Sequence, residues 1–406
     1  MTATPVAPSS ARGIAVPSTT SSPWPVRDMA GTALALIVGF TACFVALSMN
    51  GGLRLEGWDV FYDYVAGQMV LAGHGAQLYA PGVYHHFMVV HDHVNASGEE
   101  VYPPIVALCA ALPALLPYHA AYFVFLGYDC ILLAVALSLL LQYASVTGRA
   151  LFWMRLAAVI SAPVMVALVQ GQLSITLLTA VVLGMVCLLR GQDLRAGLAL
   201  GILFIAPEYV VPFGLLLLLQ RRWRALGGMA AIAAFVLLIP SLALRPGIYG
   251  SYARALQAAT HYSAAVGGFN PIVNWSIAGV VQSFWPSHSI NLADVALTLA
   301  VLAAFVIWLR RPRPLDIAMG LAVIVALLTS QHALIHSLSL ALVPAAVIWR
   351  RRRLIPGARA ELVTAYLAMT PGFLLSLMAP LHLPTVGLLA LGTGVYTAGE
   401  RHSNDD

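Results

Sequence analysis

A chain of 406 residues that is 60% hydrophobic and only 9% charged does not read as a water-soluble globular protein, in which about a quarter of residues are charged. It reads as an all-α polytopic membrane protein, built of helices because a bilayer leaves no other partner for the backbone. The formal charge of +5 comes from arginine alone, with no lysine anywhere, and arginine in such a chain marks cytoplasmic loops rather than a nucleic-acid surface.

In chain order, residues 1–27 are rich in Ser, Thr, Pro and Ala and read as a disordered cytoplasmic tail. Residues 28–400 read as a single integral-membrane domain and 401–406 as a polar tail. Apolar runs fall at roughly 29–49, 103–117, 119–143, 151–169, 172–190, 194–219, 225–244, 290–309, 314–329, 332–349, 360–379 and 383–399, which predicts about 12 spans. The first run is too long for a signal-peptide core and is expected to remain as a span. Cys43, Cys109, Cys130 and Cys187 all lie in apolar runs, where free cysteine behaves as a small hydrophobe. Neither a disulfide nor a metal site is expected.

The loop 50–102 stands apart. It carries Glu56, Asp59, Asp63, Asp92, Glu99 and Glu100, five histidines and one arginine, Arg54. Loops of this length are functional or disordered, and this one is too aromatic for a disordered spacer. Trp58, Phe61, Val65 and Met69 recur at helical spacing over 58–72, as do Val83, Phe87, Val90 and Val94 over 82–94. Both segments predict amphipathic helices in the membrane interface. Arginine clusters at 221–224, 310–313 and 350–353, with Arg12 and Arg27, mark one side as cytoplasmic. The loop 50–102, the segment 245–289 and the turn at Ser330–His332 then face the other side. Arg149, Arg155, Arg190 and Arg195 join the cytoplasmic set if 103–117 dips in and returns, and if 194–219 is a hairpin with Ala206-Pro207-Glu208 at its tip. A regular zigzag would leave these four arginines outside.

Asp59 and Asp63 are four apart and share a helix side. Three readings stand together: a solvated face, a cation site, or a general base raised in pKa at a partly desolvated membrane edge. His332, with His336 one turn on, is an ionisable group at a span end, hence a functional candidate or an interfacial cap. His85, His86, His91 and His93 match no standard zinc spacing and read as interfacial. Asn95-Ala96-Ser97 is a glycosylation sequon by pattern only. Gln170-Gly171-Gln172 either lines a polar pocket or makes a turn. No Walker loop, dinucleotide fingerprint or nucleophile elbow occurs.

Gly57-Trp58-Asp59-Val60-Phe61-Tyr62, Leu71-Ala72-Gly73 and Leu78-Tyr79 resemble the first outer loop of glycosyltransferase family 87. So do Tyr102-Pro103-Pro104, Pro113, Leu116-Pro117, Gln170-Gly171-Gln172 and the arginine turn at 221–224. The resemblance is spread over most of 30–345. It implies a GT-C-type bundle and an active site facing the periplasm or cell exterior, in a bacterial inner membrane. It further implies transfer of a sugar, mannose in the family's α-mannosyltransferases, from polyprenyl phosphate to a hydroxyl of a lipid or glycan acceptor, with inversion and without a cofactor. Asp59 matches the family's catalytic acid, Asp63 would support it, and His332 is similar to a late-span histidine. Tyr62, Tyr102, Gln170, Gln172 and Glu208 would contact substrate. Members carry Lys-Pro where this chain has Ala206-Pro207, and Arg245, Arg254, His261 or His336 would stand in for that lysine. The rival readings are a transporter or flippase of a lipid-linked sugar and an inactive scaffold.

Overall fold

The structure, a computed structural model, describes residue 31 and residues 58–90, 102–262, 273–286, 291–379 and 381–405. The expected tail 1–27 and nearly all of the first run, 29–49, lie outside the described residues, as do His91, Asp92, His93, Asn95, Glu99 and Glu100. Everything described is helix, 3-10 turn or connection, with no strand among the described residues.

Two helices follow from the amphipathic loop segments: α1, Trp58–Leu71, and α2, Pro81–Val90. The short α3, Pro104–Ala110, and the 3-10 turn Pro113–Leu115 precede α4, Tyr118–Tyr143. Next come α5, Arg149–Ile160, α6, Ala162–Gln170, α7, Ser174–Leu189, and α8, Asp193–Gly201. The 3-10 turns Ile202–Ile205 and Pro207–Tyr209 lead into α9, Val210–Leu219, and then α10, Trp223–Ala243. The segment 245–289, expected to face the outer side and holding no predicted span, contains α11, Ile248–Tyr262, and α12, Ile277–Phe284. After α13, Leu292–Leu309, and α14, Leu315–Thr329, a 3-10 turn at Ile335–Ala341 enters α15, Leu342–Arg351. The chain closes with α16, Ala358–Met369, α17, Pro371–Met378, and α18, Leu383–Asp405.

Length and composition qualify three helices to cross a bilayer on their own: α4, α10 and α13. The number rises to five if α5 with α6 and α16 with α17 each count as one bent span. The first pair bends by 56° and the second by 44°. Each bend falls at a proline, Pro163 or Pro371, in the first turn of the following helix, because proline cannot donate to the preceding turn. Apolar helices α7 and α14 and the stretch Pro207–Leu219 are shorter. Cys109, Cys130 and Cys187 are free thiols.

Hydrogen bonds sort the helix ends into two sets. At one end, Arg351 grips Asp316 at 2.9 Å, the Tyr143 hydroxyl donates to Asp316 at 2.7 Å, and Arg350 donates to the Tyr143 carbonyl. Arg222 pairs with Asp193 at 3.1 Å, and Arg313 with Glu400 and the Gly399 carbonyl. Buried Arg155 lies against Gly31. At the other end, Tyr122 donates to the Val169 carbonyl at 3.1 Å, Tyr102 to Gln172 at 3.0 Å and Thr385 to the Trp275 carbonyl at 2.9 Å. Residues 103–117 begin and end on this second side: Tyr102 meets Gln172, and Tyr64 of α1 donates to the Leu116 carbonyl at 3.1 Å. Residues 193–219 run from the ionic end to Tyr209 beside Ser330 and back. Residues 193–219 therefore double back as a hairpin, the shape expected if Arg149, Arg155, Arg190 and Arg195 join the cytoplasmic set.

The Asp316 pair is the more buried of these ionic contacts. Arg351 and Asp316 are 10% and 6% exposed at their side chains, against 34% and 19% for Arg222 and Asp193. Breaking a buried pair strands a charge and costs about 3–5 kcal/mol, whereas exposed pairs give about 0–1 kcal/mol. Asp316→Ala should therefore lower the thermal midpoint in detergent far more than Asp193→Ala does. Equal shifts would contradict the ranking.

Candidate active site

Helix α1 carries its acid at the favourable end. Asp59 lies in the first turn, where the helix dipole favours negative charge. Phe61, Val65 and Met69 are buried and pack with Tyr84 and Met88 of α2 and Ile248 of α11. The helix is thus pinned on its apolar side, and Asp59 is left half-buried at the rim.

The partner of Asp59 comes from the end of α6. Gly171 closes that helix in the left-handed region, at φ +66, and the Gln172 N–H returns to the Ala167 carbonyl at 2.9 Å. This is the left-handed helix stop for which glycine is suited. A Cβ on Gly171 would also run into the side chain of Val60, next to Asp59. The glycine therefore lets the two segments touch. Gln172, buried, donates its Nε2 to Asp59, and its Oε1 accepts from the Tyr102 hydroxyl. With that bond in place, the amide can only turn its donor toward the carboxylate. Burial raises the Asp59 carboxyl to about 6, and the Gln172 bond pulls it partly back. Tyr62 is pushed up, first by burial and then by the Asp59 charge nearby.

A chain of aromatic contacts leads from this group to two arginines. The Tyr79 hydroxyl donates to the Tyr102 carbonyl at 2.6 Å, and the Tyr79 ring packs on Tyr252 of α11 at 5.4 Å. One residue before Tyr252 sits Ser251, whose hydroxyl accepts from both Arg245 and Arg254, the latter at 3.0 Å. No carboxylate pairs with either arginine among the described residues.

A third group gathers around the start of the 3-10 turn Ile335–Ala341. Tyr209 lies close to Ser330 and Ser337, beside Glu208. Glu208 is exposed, yet its surroundings desolvate it enough to raise its carboxyl. His332 is held down to about 3 by burial and by His336, so its imidazole is neutral at physiological pH. Helix α6 packs against both α1 and this turn, so it links the His332 group to the Asp59 group.

The predicted residues thus fall into three neighbourhoods: Asp59 with Tyr62, Tyr102 and Gln172; Arg245 with Arg254; and Glu208 with His332 and buried His336. Asp63, one turn beyond Asp59, is buried and within electrostatic reach of Cys109 in α3. Gln170 is half-buried at the end of α6. His261 falls in the last turn of α11, its side chain outside the described residues. Sequence reasoning missed Ser251, Tyr252 and Tyr209; a serine at the inward position of α11 was the available signal. No three His, Cys, Asp or Glu side chains come close enough to hold a metal among the described residues. A cavity of about 500 Å³ lies under α2, lined by His74, Gln77, Gly82, Val83, His86, Phe87 and Val90, none of them part of these three groups.

Gly171→Ala should cost about 1–2 kcal/mol from the left-handed backbone alone, plus the collision with Val60. Adding Val60→Ala should restore the second part and not the first, read as thermal midpoints. A Gly171→Ala protein as stable as the parent would contradict this geometry.

Comparison with known proteins gives this arrangement a family. Residues 101–335 match glycosyltransferase family 87. The match takes in Tyr102, Gln172, Glu208, Arg245, Arg254 and His332, and begins after Asp59. No curated protein matches the chain. Because the matched segment exceeds half of the 406 residues and holds the partners that converge on Asp59, the chain belongs to glycosyltransferase family 87.

Proposed function

We propose that the protein moves a sugar, mannose, from a polyprenyl-phosphate donor to a hydroxyl of a lipid or glycan acceptor, with inversion. The reaction takes place at the extracytoplasmic end of a GT-C-type bundle of about 12 spans. The observation that carries this reading is the Asp59 carboxylate, raised to about 6 and oriented by Gln172. A base is most useful with a pKa near the working pH.

Asp59 accepts the proton of the acceptor hydroxyl. The freed oxygen attacks the anomeric carbon from the face opposite the phosphate, and the bond from that carbon to the phosphate oxygen breaks. The leaving group is a polyprenyl phosphate monoester. Its developing charge is stabilised by cationic or hydrogen-bonding donors placed where it forms. Arg245 and Arg254, both exposed and converging on Ser251 with no carboxylate between them among the described residues, supply two cations in place of the lysine replaced by Ala206. Neutral His332 supplies a hydrogen bond rather than a charge. Tyr62 and Tyr102 offer ring faces and hydroxyls to a sugar.

The arginine-rich end is cytoplasmic under the charge rule, which puts Asp59, Gln172, Glu208 and His332 outside. One observation favours the rival transporter: Asp129 is buried midway along α4, and intramembrane carboxylates mark transport paths. Release of polyprenyl phosphate by the purified protein, given polyprenyl-phosphate mannose and crude membrane lipid, separates the two. Uptake into vesicles without release would support the transporter.

Asp59→Asn should lower release by about 10²–10⁴-fold while donor binding survives, and Asp63→Asn should do less. The proton-accepting form is lost as pH falls, so kcat/KM should drop with a midpoint near 6. Gln172→Leu removes the bond that lowers the Asp59 pKa, so this midpoint should move up. Full activity of Asp59→Asn, or a midpoint indifferent to Gln172, would defeat the assignment. For orientation, cysteines introduced singly at Gly82 and Arg353 in a background lacking the native four should react with an impermeant reagent from opposite faces. Equal labelling from outside would reverse or abolish the topology.

A further inference from the structure

We infer that Asn274 is a positioning residue that fixes the backbone on both sides of His332 and so aims its imidazole. This rests on the reading above that His332 acts on the substrate. Asn274 lies just ahead of α12 and is buried. Its Nδ2 donates to the Gln331 carbonyl at 2.9 Å, and its Oδ1 accepts from the Ala333 N–H at 3.0 Å. The two bonds bracket His332. The Trp275 N–H adds a bond to the Ala333 carbonyl at 2.8 Å, and the Ser330 hydroxyl accepts the His332 N–H at 3.1 Å.

A primary amide offers one donor and one acceptor side by side, as a peptide does. Asn274 therefore serves the 331–333 stretch as a neighbouring strand would. Aspartate lacks the donor, and leucine lacks both. The amide is itself anchored: the Ser276 hydroxyl donates to Oδ1 at 2.9 Å and caps α12 by accepting the Gly279 N–H. A Cβ on Gly279 would collide with the Asn274 carbonyl, so glycine is what lets the helix start this close. On the far side, the Gln331 side chain lies close to the Asp294 carboxyl of α13. The backbone on either side of His332 is thus held by the 274–275 segment as well as by Ser330 of its own loop.

The test is a double-mutant cycle on release of polyprenyl phosphate. Asn274→Asp keeps the bond to the Ala333 N–H and loses the one to the Gln331 carbonyl. It should lower kcat about tenfold with little change in the donor KM, the pattern of a lost transition-state interaction. In a His332→Ala background the same change should cost nothing further, because residues acting as a unit are non-additive. Carbethoxylation of His332, followed by mass spectrometry, should speed up severalfold in Asn274→Asp and stay unchanged at His336; this reading needs no substrate. If Asn274→Asp does not accumulate as folded protein, Ser330→Ala, which removes the bond to the His332 N–H, is read in the same cycle. A loss that His332→Ala does not absorb, or an unchanged His332 modification rate, would overturn the positioning role alone. Wild-type turnover in His332→Ala would overturn both it and the role of His332.

Discussion

The hydrogen bond from Gln172 to Asp59 joins three segments that are far apart in sequence. Asp59 belongs to the first loop, Gln172 follows the left-handed stop of α6, and Tyr102, which holds the other side of the amide, opens the segment before α4. In the proposed reaction the bond also tunes the base. Burial alone would drive the carboxyl toward its neutral form, and the amide stabilises the charged one. The balance leaves a carboxylate that ionises within the physiological range, which is the condition for taking a proton and giving it up again. An arginine in place of Gln172 would keep the acid permanently ionised and a poor base. A leucine would leave burial unopposed and raise the carboxyl further, so that less of the accepting form is present at neutral pH.

The fold separates charge by function. Ion pairs at one end, Arg351 with Asp316 and Arg313 with Glu400, join an arginine directly to a carboxylate. At the other end, Arg245 and Arg254 meet on a serine hydroxyl with no acid between them among the described residues. Both guanidinium groups are exposed, so a phosphate can reach and bridge them. The first arrangement suits a scaffold and the second suits a substrate that brings its own negative charge.

Much of the helical framework was legible because apolar runs have one meaning in a membrane. Tyr118–Tyr143 and Trp223–Ala243 lie within a few residues of the runs that predict them. Bends were less legible: Pro163 and Pro371 announce a break but not its angle. Helices α11 and α12 were missed because their inward faces use serine and glycine, Ser251 and Gly279, as well as hydrophobes. Asp59 was legible as an acid in a loop poor in arginine. Its relation to Asp63 was only partly so. Four residues advance a helix by about 40° beyond a full turn, and that offset separates a half-buried carboxylate from one packed toward Cys109. Asn274 was invisible in sequence because its meaning lies in what residues 331 and 333 present to it. The same holds for Ser251, whose two arginines meet only once α11 forms.

The most direct test of the account is the ionisation of Asp59 itself. Infrared difference spectra of the purified protein across pH, wild type minus Asp59→Asn, isolate that carboxyl. A protonated-carboxyl band that disappears with a midpoint near 6 and is displaced when donor lipid binds would support a poised base at the reacting end. A midpoint at the ordinary aspartate value near 4, untouched by donor, would contradict it.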